Sequence, residues 1–573
     1  MQLPEKPGTW NLSSLSGPSQ ESIKRIAREL EHSRKELNNL SIPRFLKLLH
    51  TFEDLKSQSA RLISYWHLRF SENSSDQEAS AHLSKAQMFL AKIDNQLLFF
   101  SFWWKDLPEK DTKKYLNASG PYQYYLEQIR KTKPYTLSEK EEHVINILNT
   151  SGISALNTAY HVLTSQLSFP FKGKKISQNE LMVNFRDKSP QTRKEAYISL
   201  LTTYSQYKDV IGEVYRAIVN TWREENVTIR KYASPINVRN IYNDLPDGIV
   251  DTLLSVCQKN EKEFHRFFAI KKQKLGLKKM TRFDIYAPIE EEKKNIPYKK
   301  AVSQVLSVFN QFSPEFGKHA EELFKQKHVH ATLQKNKNPG AFCSGITKDL
   351  APYVLLNYTG TLRDVETLAH ELGHAVHFSL AKHQTEFTQE ACLPLAETAS
   401  IFGEMILTEQ LKKDYPDQAF NLTFTKVDEF YASIIRQIGF TVFERIAHDL
   451  IAQGKTMDDI SDAYLALLKV QLGPDIIIDD RYRYEWLYIP HIYHTPFYCY
   501  AYAFGNLLVL SLYARYQKEG APFAKKIIEL LKKGGSASPV DITKAVGIDI
   551  TQESFWQEGF DIIKNMIDSL ECK

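Results

Sequence analysis

The sequence of 573 residues predicts a mainly α-helical protein with a small β-sheet beside one chemically active helix. Three observations carry this reading. Apolar residues recur at three- and four-residue spacings through long charged runs in the first third of the chain and again in the last. The stretches that break this period are short. Two of them, Asn338–Gly345 (NPGAFCSG) and Tyr353–Tyr358, read as loop, strand, loop, strand and deliver the chain into a further helical stretch, Thr361–Leu380 (TLRDVETLAHELGHAVHFSL).

Taken in order, residues 1–20 are rich in Pro, Ser and Gly and read as an extended arm. Glu21–Leu40, Pro43–Phe70 and Ala79–Trp104 carry the helical period, with breaks at Ser71–Asp76, Gly120–Pro121 and Lys133–Pro134, so the region to about Ser165 reads as a bundle of long helices. Gln166–Leu181 breaks the period and reads as a short hairpin. Ser189 as N-cap and Pro190 at the first helical position open a new run to about Lys231. A boundary near residue 190 then separates an N-terminal helical domain (21–190) from a larger domain (191–573) that carries the Thr361–Leu380 stretch. Helices follow at Pro246–Leu275 and Pro297–Phe312, with Arg282–Ala287 (RFDIYA) extended between them. A second helix, Leu393–Lys413, comes after the Thr361–Leu380 stretch. The rest is helical apart from the aromatic segment Arg481–Gly505 and the loop Gly534–Val540.

Composition narrows the function classes. Hydrophobic residues make up 43%, enough for a large core, and 73 basic against 68 acidic residues leave a net charge of only +5, no footprint for nucleic acid or a membrane surface. The N-terminal residues lack a signal-peptide core, and no apolar run is long enough to span a bilayer. The five cysteines are scattered and lack CxxC spacing, which suits reduced thiols and a cytoplasmic protein.

The chemistry lies in His370, Glu371 and His374, an H-E-x-x-H pattern. At about 100° per residue His374 lies about 40° around the axis from His370, one turn on, so both imidazoles reach one point. Val365, Leu368, Leu372, Val376 and Leu380 collect on the opposite side, leaving the histidine face for a metal. Thr361 is the expected N-cap, with Asp364 in capping-box spacing. A catalytic zinc needs three protein ligands and a position for water. A metzincin histidine would fall at position 380, which is Leu380. His377 lies too far along the helix, about 10 Å from His370. A glutamate must supply the third ligand, and Glu386, Glu390, Glu397 and Glu404 are the candidates, with Glu397 and Glu404 stacked on one face of the second helix.

T-L-A-H-E-L-G-H-A-V-H followed by L-A-E-T-A-S-I-F-G-E resembles the oligoendopeptidase F branch of the thimet-oligopeptidase-like zinc metallopeptidases. Gly8–Leu15 (GTWNLSSL), Pro339–Ser344, Tyr353–Asp364 and Ile489–Tyr502 (IPHIYHTPFYCYAY) are similar to further segments of that branch, in the same order. The resemblance implies one zinc per chain on His370, His374 and Glu397, Glu371 as general base, and Glu404 orienting a ligand. It implies transition-state donors in the aromatic segment: His491, and a tyrosine from Tyr493, Tyr498, Tyr500 and Tyr502, with Tyr498 first and Tyr502 next. It further implies a helical shell around a deep channel that admits short unstructured oligopeptides. From chemistry alone, a peptide could pair with the edge of the Tyr353–Asn357 strand. Two rivals stay open. One is a metallocarboxypeptidase, using Arg481, Arg483 or a lysine to hold a terminal carboxylate. The other is a non-catalytic peptide-binding protein with a structural zinc.

Overall fold

Helices dominate the chain, as its periodicity predicts. A computed structural model describes residues 3–290 and 295–571, with the side chains of Asn38 and Asn39 undescribed. Near the N-terminus lie Gln20–Ser33, Ile42–Glu72 and Gln77–Asp106. Ser19 caps the first by accepting from the Ser22 amide, and Asp76 caps the third through Ala79. Their apolar stripes bury Leu30, Phe45, Leu49 and Trp104 together. The arm is tied down: Trp10 and Leu15 pack with Leu68, Tyr353 and Leu355, and Ala331 N donates to Gly8 O at 2.9 Å.

Seven short strands are described. β1 (Phe169–Phe171) and β2 (Lys174–Ile176) form the expected hairpin, whose two turn residues, Lys172 at φ +48° and Gly173 at φ +78°, match the twist of a two-residue turn. β3 (Met280–Thr281) pairs in parallel with β7 (Ile476–Ile477). β4 (Val329–His330), β5 (Phe342–Ser344) and β6 (Tyr353–Leu355) make the sheet expected beside the functional helix. β6 is its central strand, parallel to β4 and antiparallel to β5. The edge expected for Tyr353–Asn357 is therefore taken; the outer strands of this sheet are β4 and β5. Arg282–Ala287 is not extended either. Arg282–Asp284 is a 3-10 turn capped by Thr281 and Asp284, because Arg282 and Asp284 turn inward to buried partners.

The chain divides into two compact units, each drawing on three segments. One contains Met1–Lys133, Glu292–Asp414 and Arg515–Ile548; the other contains Pro134–Glu291, Tyr415–Ala514 and Asp549–Lys573. The second unit is built around a buried carboxylate. Glu485 accepts from Arg282 at 2.8 Å, from Arg436 at 3.2 Å and from the Tyr464 hydroxyl at 2.6 Å. The two guanidinium charges hold its carboxyl at about 2 against the opposing pull of burial. Glu485→Ala leaves two buried cations without their anion and is expected to cost about 3–5 kcal/mol in denaturant unfolding.

In the first unit the functional helix runs from Leu362 to Leu380. Thr361 accepts from Asp364 N at 3.1 Å while Asp364 accepts from Thr361 N, the expected capping box. Val365, Leu368, Leu372 and Val376 are fully buried and Leu380 is 3% exposed, each worth about 1.5–3 kcal/mol of burial. The second helix differs from the expectation. It is split into Leu393–Ala396 and Thr398–Asp414, with Glu397 at the break.

Candidate metal centre

Two glycines bring the functional helix and Thr398–Asp414 together. A Cβ at Gly373 would stand 2.6 Å from Ala399 O and from Ser400 Cα; one at Gly403 would stand 3.3 Å from Ala369 O. The backbones therefore touch where a side chain would hold them apart. Thr408 adds a 2.7 Å hydrogen bond to the buried Glu366. Gly373→Ala is expected to cost about 1–3 kcal/mol by overpacking and to weaken metal binding at least about tenfold, because Ser400 and Glu397 move together. Thermal unfolding with a competitive metal titration measures both.

That close approach assembles the site. Glu397 Oε2 lies 3.4 Å from His370 Nε2 and 3.2 Å from His374 Nε2, and the two nitrogens are 3.1 Å apart. Tetrahedral zinc with bonds of about 2.0–2.1 Å has ligand-to-ligand edges of about 3.3–3.4 Å. The triangle matches that size, and His370, His374 and Glu397 are the metal-capable cluster among the described residues. The break in the helix explains the reach: Glu397 sits at φ −85°, ψ 1°, its carbonyl accepts from Ile401 N, and Ser400 Oγ donates to its Oε2 at 2.8 Å. Glu404, seven residues on, bonds the other nitrogen of His370, Nδ1, and so fixes which ring nitrogen faces the cluster.

The remaining candidates fall elsewhere. Glu386 is buried and accepts from Lys348 N at 3.1 Å. Glu390 lines the pocket of about 440 Å³ into which the cluster opens. His377 is buried, bonded to the Ala396 backbone, and driven down to about 4 chiefly by burial, so it is a neutral packing group beneath the Glu397 segment.

The electrostatics separate the roles. Burial would depress the His370 imidazolium, but the Glu404 bond and the surrounding carboxylates lift it to about 9. Burial would raise Glu397, but His374, His370 and Ser400 hold it at about 2. Glu371, 6% exposed, points into the same pocket with no such bond, and burial raises its carboxyl despite the two histidines. An ionised Glu397 beside the imidazoles and a neighbouring carboxyl of raised pKa are the division that acid–base hydrolysis at a metal needs.

The aromatic segment forms a second group within its own unit. His491 lies 3.5 Å from Tyr502 Oη through Nε2, and the Tyr498 ring stands 6.2 Å from His491 and 5.2 Å from Tyr502, centroid to centroid. Tyr493 and Tyr500 are absorbed elsewhere: Tyr493 is buried and stacks on Tyr160 at 3.9 Å, and Tyr500 accepts from Asn243 at 2.8 Å. Sequence reasoning named neither Ser400 nor the glycine pair. Gly373, between the two histidines, and Gly403, beside Glu404, were the available signal.

Two histidines one turn apart, a carboxylate from the next helix and a buried carboxylate beside them are the arrangement metallohydrolases use. Residues 184–562 match the profile described as Peptidase family M3, and residues 103–169 match that described as Oligopeptidase F. The first match covers well over half of the chain, which therefore belongs to peptidase family M3, a metallopeptidase family, and is an oligopeptidase. The relatives agree. Oligopeptidase PepF of Bacillus subtilis is 27% identical, over 78% of this chain and 68% of its own. An oligoendopeptidase F homolog of Borreliella burgdorferi is 25% identical, over 98% and 96%. Among solved structures, a putative peptidase from Chlamydophila abortus superposes with a TM-score of 0.87 at 24% identity, covering 98% of each chain. Oligoendopeptidase-F from Enterococcus faecium does so with 0.73 at 21% identity, covering 96% and 98%. These likenesses bear out the mainly helical fold and the oligoendopeptidase F resemblance.

Proposed function

We propose that the protein is a zinc-dependent endopeptidase that cuts short unstructured peptides in the cytoplasm, with one zinc per chain on His370, His374 and Glu397. The observation that carries this is the 3.1–3.4 Å triangle of ligand atoms beside a buried glutamate that makes no hydrogen bond or ion pair among the described residues. No described helix is long and apolar enough to cross a membrane.

A zinc ion held by His370, His374 and Glu397 would supply a Lewis acid for the scissile carbonyl and a water whose pKa falls toward about 7. Glu371 takes the proton of the attacking water and returns it to the leaving amine; its raised pKa suits both transfers. Glu404 keeps His370 in one tautomer and one orientation. His491, Tyr498 and Tyr502 are the donors we assign to the oxyanion of the tetrahedral intermediate, a role worth about 10²–10³ in rate per donor. The outer side of β5, whose Phe342 and Cys343 line the pocket, suits an extended peptide that adds one more strand by backbone hydrogen bonds.

No lysine or arginine lines this pocket among the described residues, which speaks against a carboxypeptidase holding a terminal carboxylate there. A structural zinc would be closed by a fourth protein ligand and would have no use for Glu371. The test joins metal analysis of the purified protein to mass spectrometry of a digest of peptides blocked at both ends. Internal cuts with one zinc per chain are expected. Intact blocked peptides alongside trimmed free ones would replace this reading with the carboxypeptidase.

A further inference from the structure

The pocket wall between the functional helix and Glu397 is held from several sides. Glu386 N donates to Glu53 at 3.0 Å, Gly535 N donates to Thr388 O at 2.8 Å, and Gln389 Nε2 donates to Phe378 O at 3.1 Å. A Cβ at Gly535 would stand 2.3 Å from Glu390 O, so the wall and the Gly534–Gly535 turn meet backbone to backbone. Phe387 stacks on Tyr125 at 4.1 Å. A segment fixed in this way carries its side chains at defined positions.

From this wall the Glu390 side chain emerges exposed into the metal pocket. Its neighbours there are committed: Glu397 to the two imidazoles, and Glu371, on the reading above, to proton transfer. Glu390 has no hydrogen bond and no ion pair among the described residues. Phe342 and Cys343 of β5 line the same pocket, so Glu390 shares it with a strand whose outer side is unpaired in the sheet. An extended chain on β5 would turn alternate side chains to one face, and a residue within a step or two of the cut bond would meet this carboxylate. Lys56 stands on the same side of the molecule as this wall, its Nζ 5.3 Å over the Phe387 ring. Glu390, Glu386 and Glu53 all act on Lys56, and none of them lies within ion-pair distance of it. Lys56 thus forms an ion pair with none of the three, Glu390 included.

We propose that Glu390 is a specificity residue that selects peptides with a lysine or arginine next to the scissile bond. This rests on the endopeptidase reading above and adds to it the class of peptide preferred.

The test is a series of internally quenched peptides, blocked at both ends, that differ only by Arg, Ala or Glu at each residue flanking the cut. At one flanking position the wild-type protein is expected to show kcat/KM about tenfold higher for Arg than for Ala, the ratio a partly screened ion pair supports, with Glu poorest. E390Q is expected to bring the Arg-to-Ala ratio near one, E390K to favour the Glu peptide, and K56M to raise the Arg preference. Ratios taken within each variant are independent of how much of it folds. A wild-type ratio of one at every position, or a ratio that E390Q and E390K leave unchanged, overturns the proposal while peptide cleavage stands. A wild-type protein loaded with zinc that cuts none of the series overturns the endopeptidase reading as well.

Discussion

Glu371→Gln is expected to keep zinc bound and to lower kcat by about 10²–10⁴, the contribution of a positioned general base. Gln fills the same volume and can still accept a hydrogen bond, but it cannot take a proton. The side chain is 6% exposed and lies outside the ligand triangle, so neither the fold nor the metal should suffer. Burial raises the Glu371 carboxyl above the ordinary 4.5, so the base becomes ionised, and the rate rises, at a higher pH than for a free glutamate. The residual activity of the variant should lack that acid limb. Metal content, thermal stability and single-turnover rates on a blocked peptide separate the outcomes. A variant with full zinc and wild-type rate would remove Glu371 from the chemistry. A variant that loses zinc would make it a ligand instead.

The functional helix was legible in the sequence because its signals are local. The cap at Thr361, the apolar stripe and the one-turn histidine spacing all follow from helical geometry, and the structure has each of them. The third ligand was not legible from spacing alone. Glu397 and Glu404 were expected to stack on one continuous helix. In the structure the helix breaks at Glu397, so the two carboxylates serve opposite nitrogens of the same imidazole. The residues that allow this, Gly373 and Gly403, leave no periodic trace; their meaning appears only when the partner backbone stands against them. Strand pairing was hidden for a similar reason. The short runs at β5 and β6 look alike in sequence, and which of them is an outer strand depends on β4, which comes earlier in the chain. The two compact units illustrate the same limit, since each returns to the chain three times. Spacing along a chain records neighbours within an element and is silent about which distant segment closes a layer.

Glu397→Ala is expected to weaken zinc binding by more than about 100-fold, since removing even an outer partner of a ligand costs about 10–100-fold, and to abolish cleavage with it. Glu404→Ala should fall within that smaller range. The pH dependence tells the two apart. In the metal-free protein the Glu404 bond and the nearby carboxylates lift His370 to about 9 against burial, so at neutral pH its imidazole is charged and must lose a proton before it can bind an ion. Zinc affinity should therefore rise about tenfold per pH unit from about pH 6 to pH 8 on account of His370. Glu397, held at about 2, is already ionised across that range and adds no slope. The stability of the metal-free protein runs the other way. The share that His370 contributes is full below its unfolded value of 6.5 and is lost as pH rises through about 9. Removing Glu404 takes away the main support of the charged imidazole, so burial then favours the neutral ring and the proton is shed before the metal arrives. Glu404→Ala should thus bind zinc more weakly but with a flatter pH slope through neutrality, while Glu397→Ala keeps the slope and loses the affinity. Competition with a chelator of known affinity at several pH values measures both quantities, and equal slopes in the wild type and Glu404→Ala would show that the His370 proton does not compete with zinc.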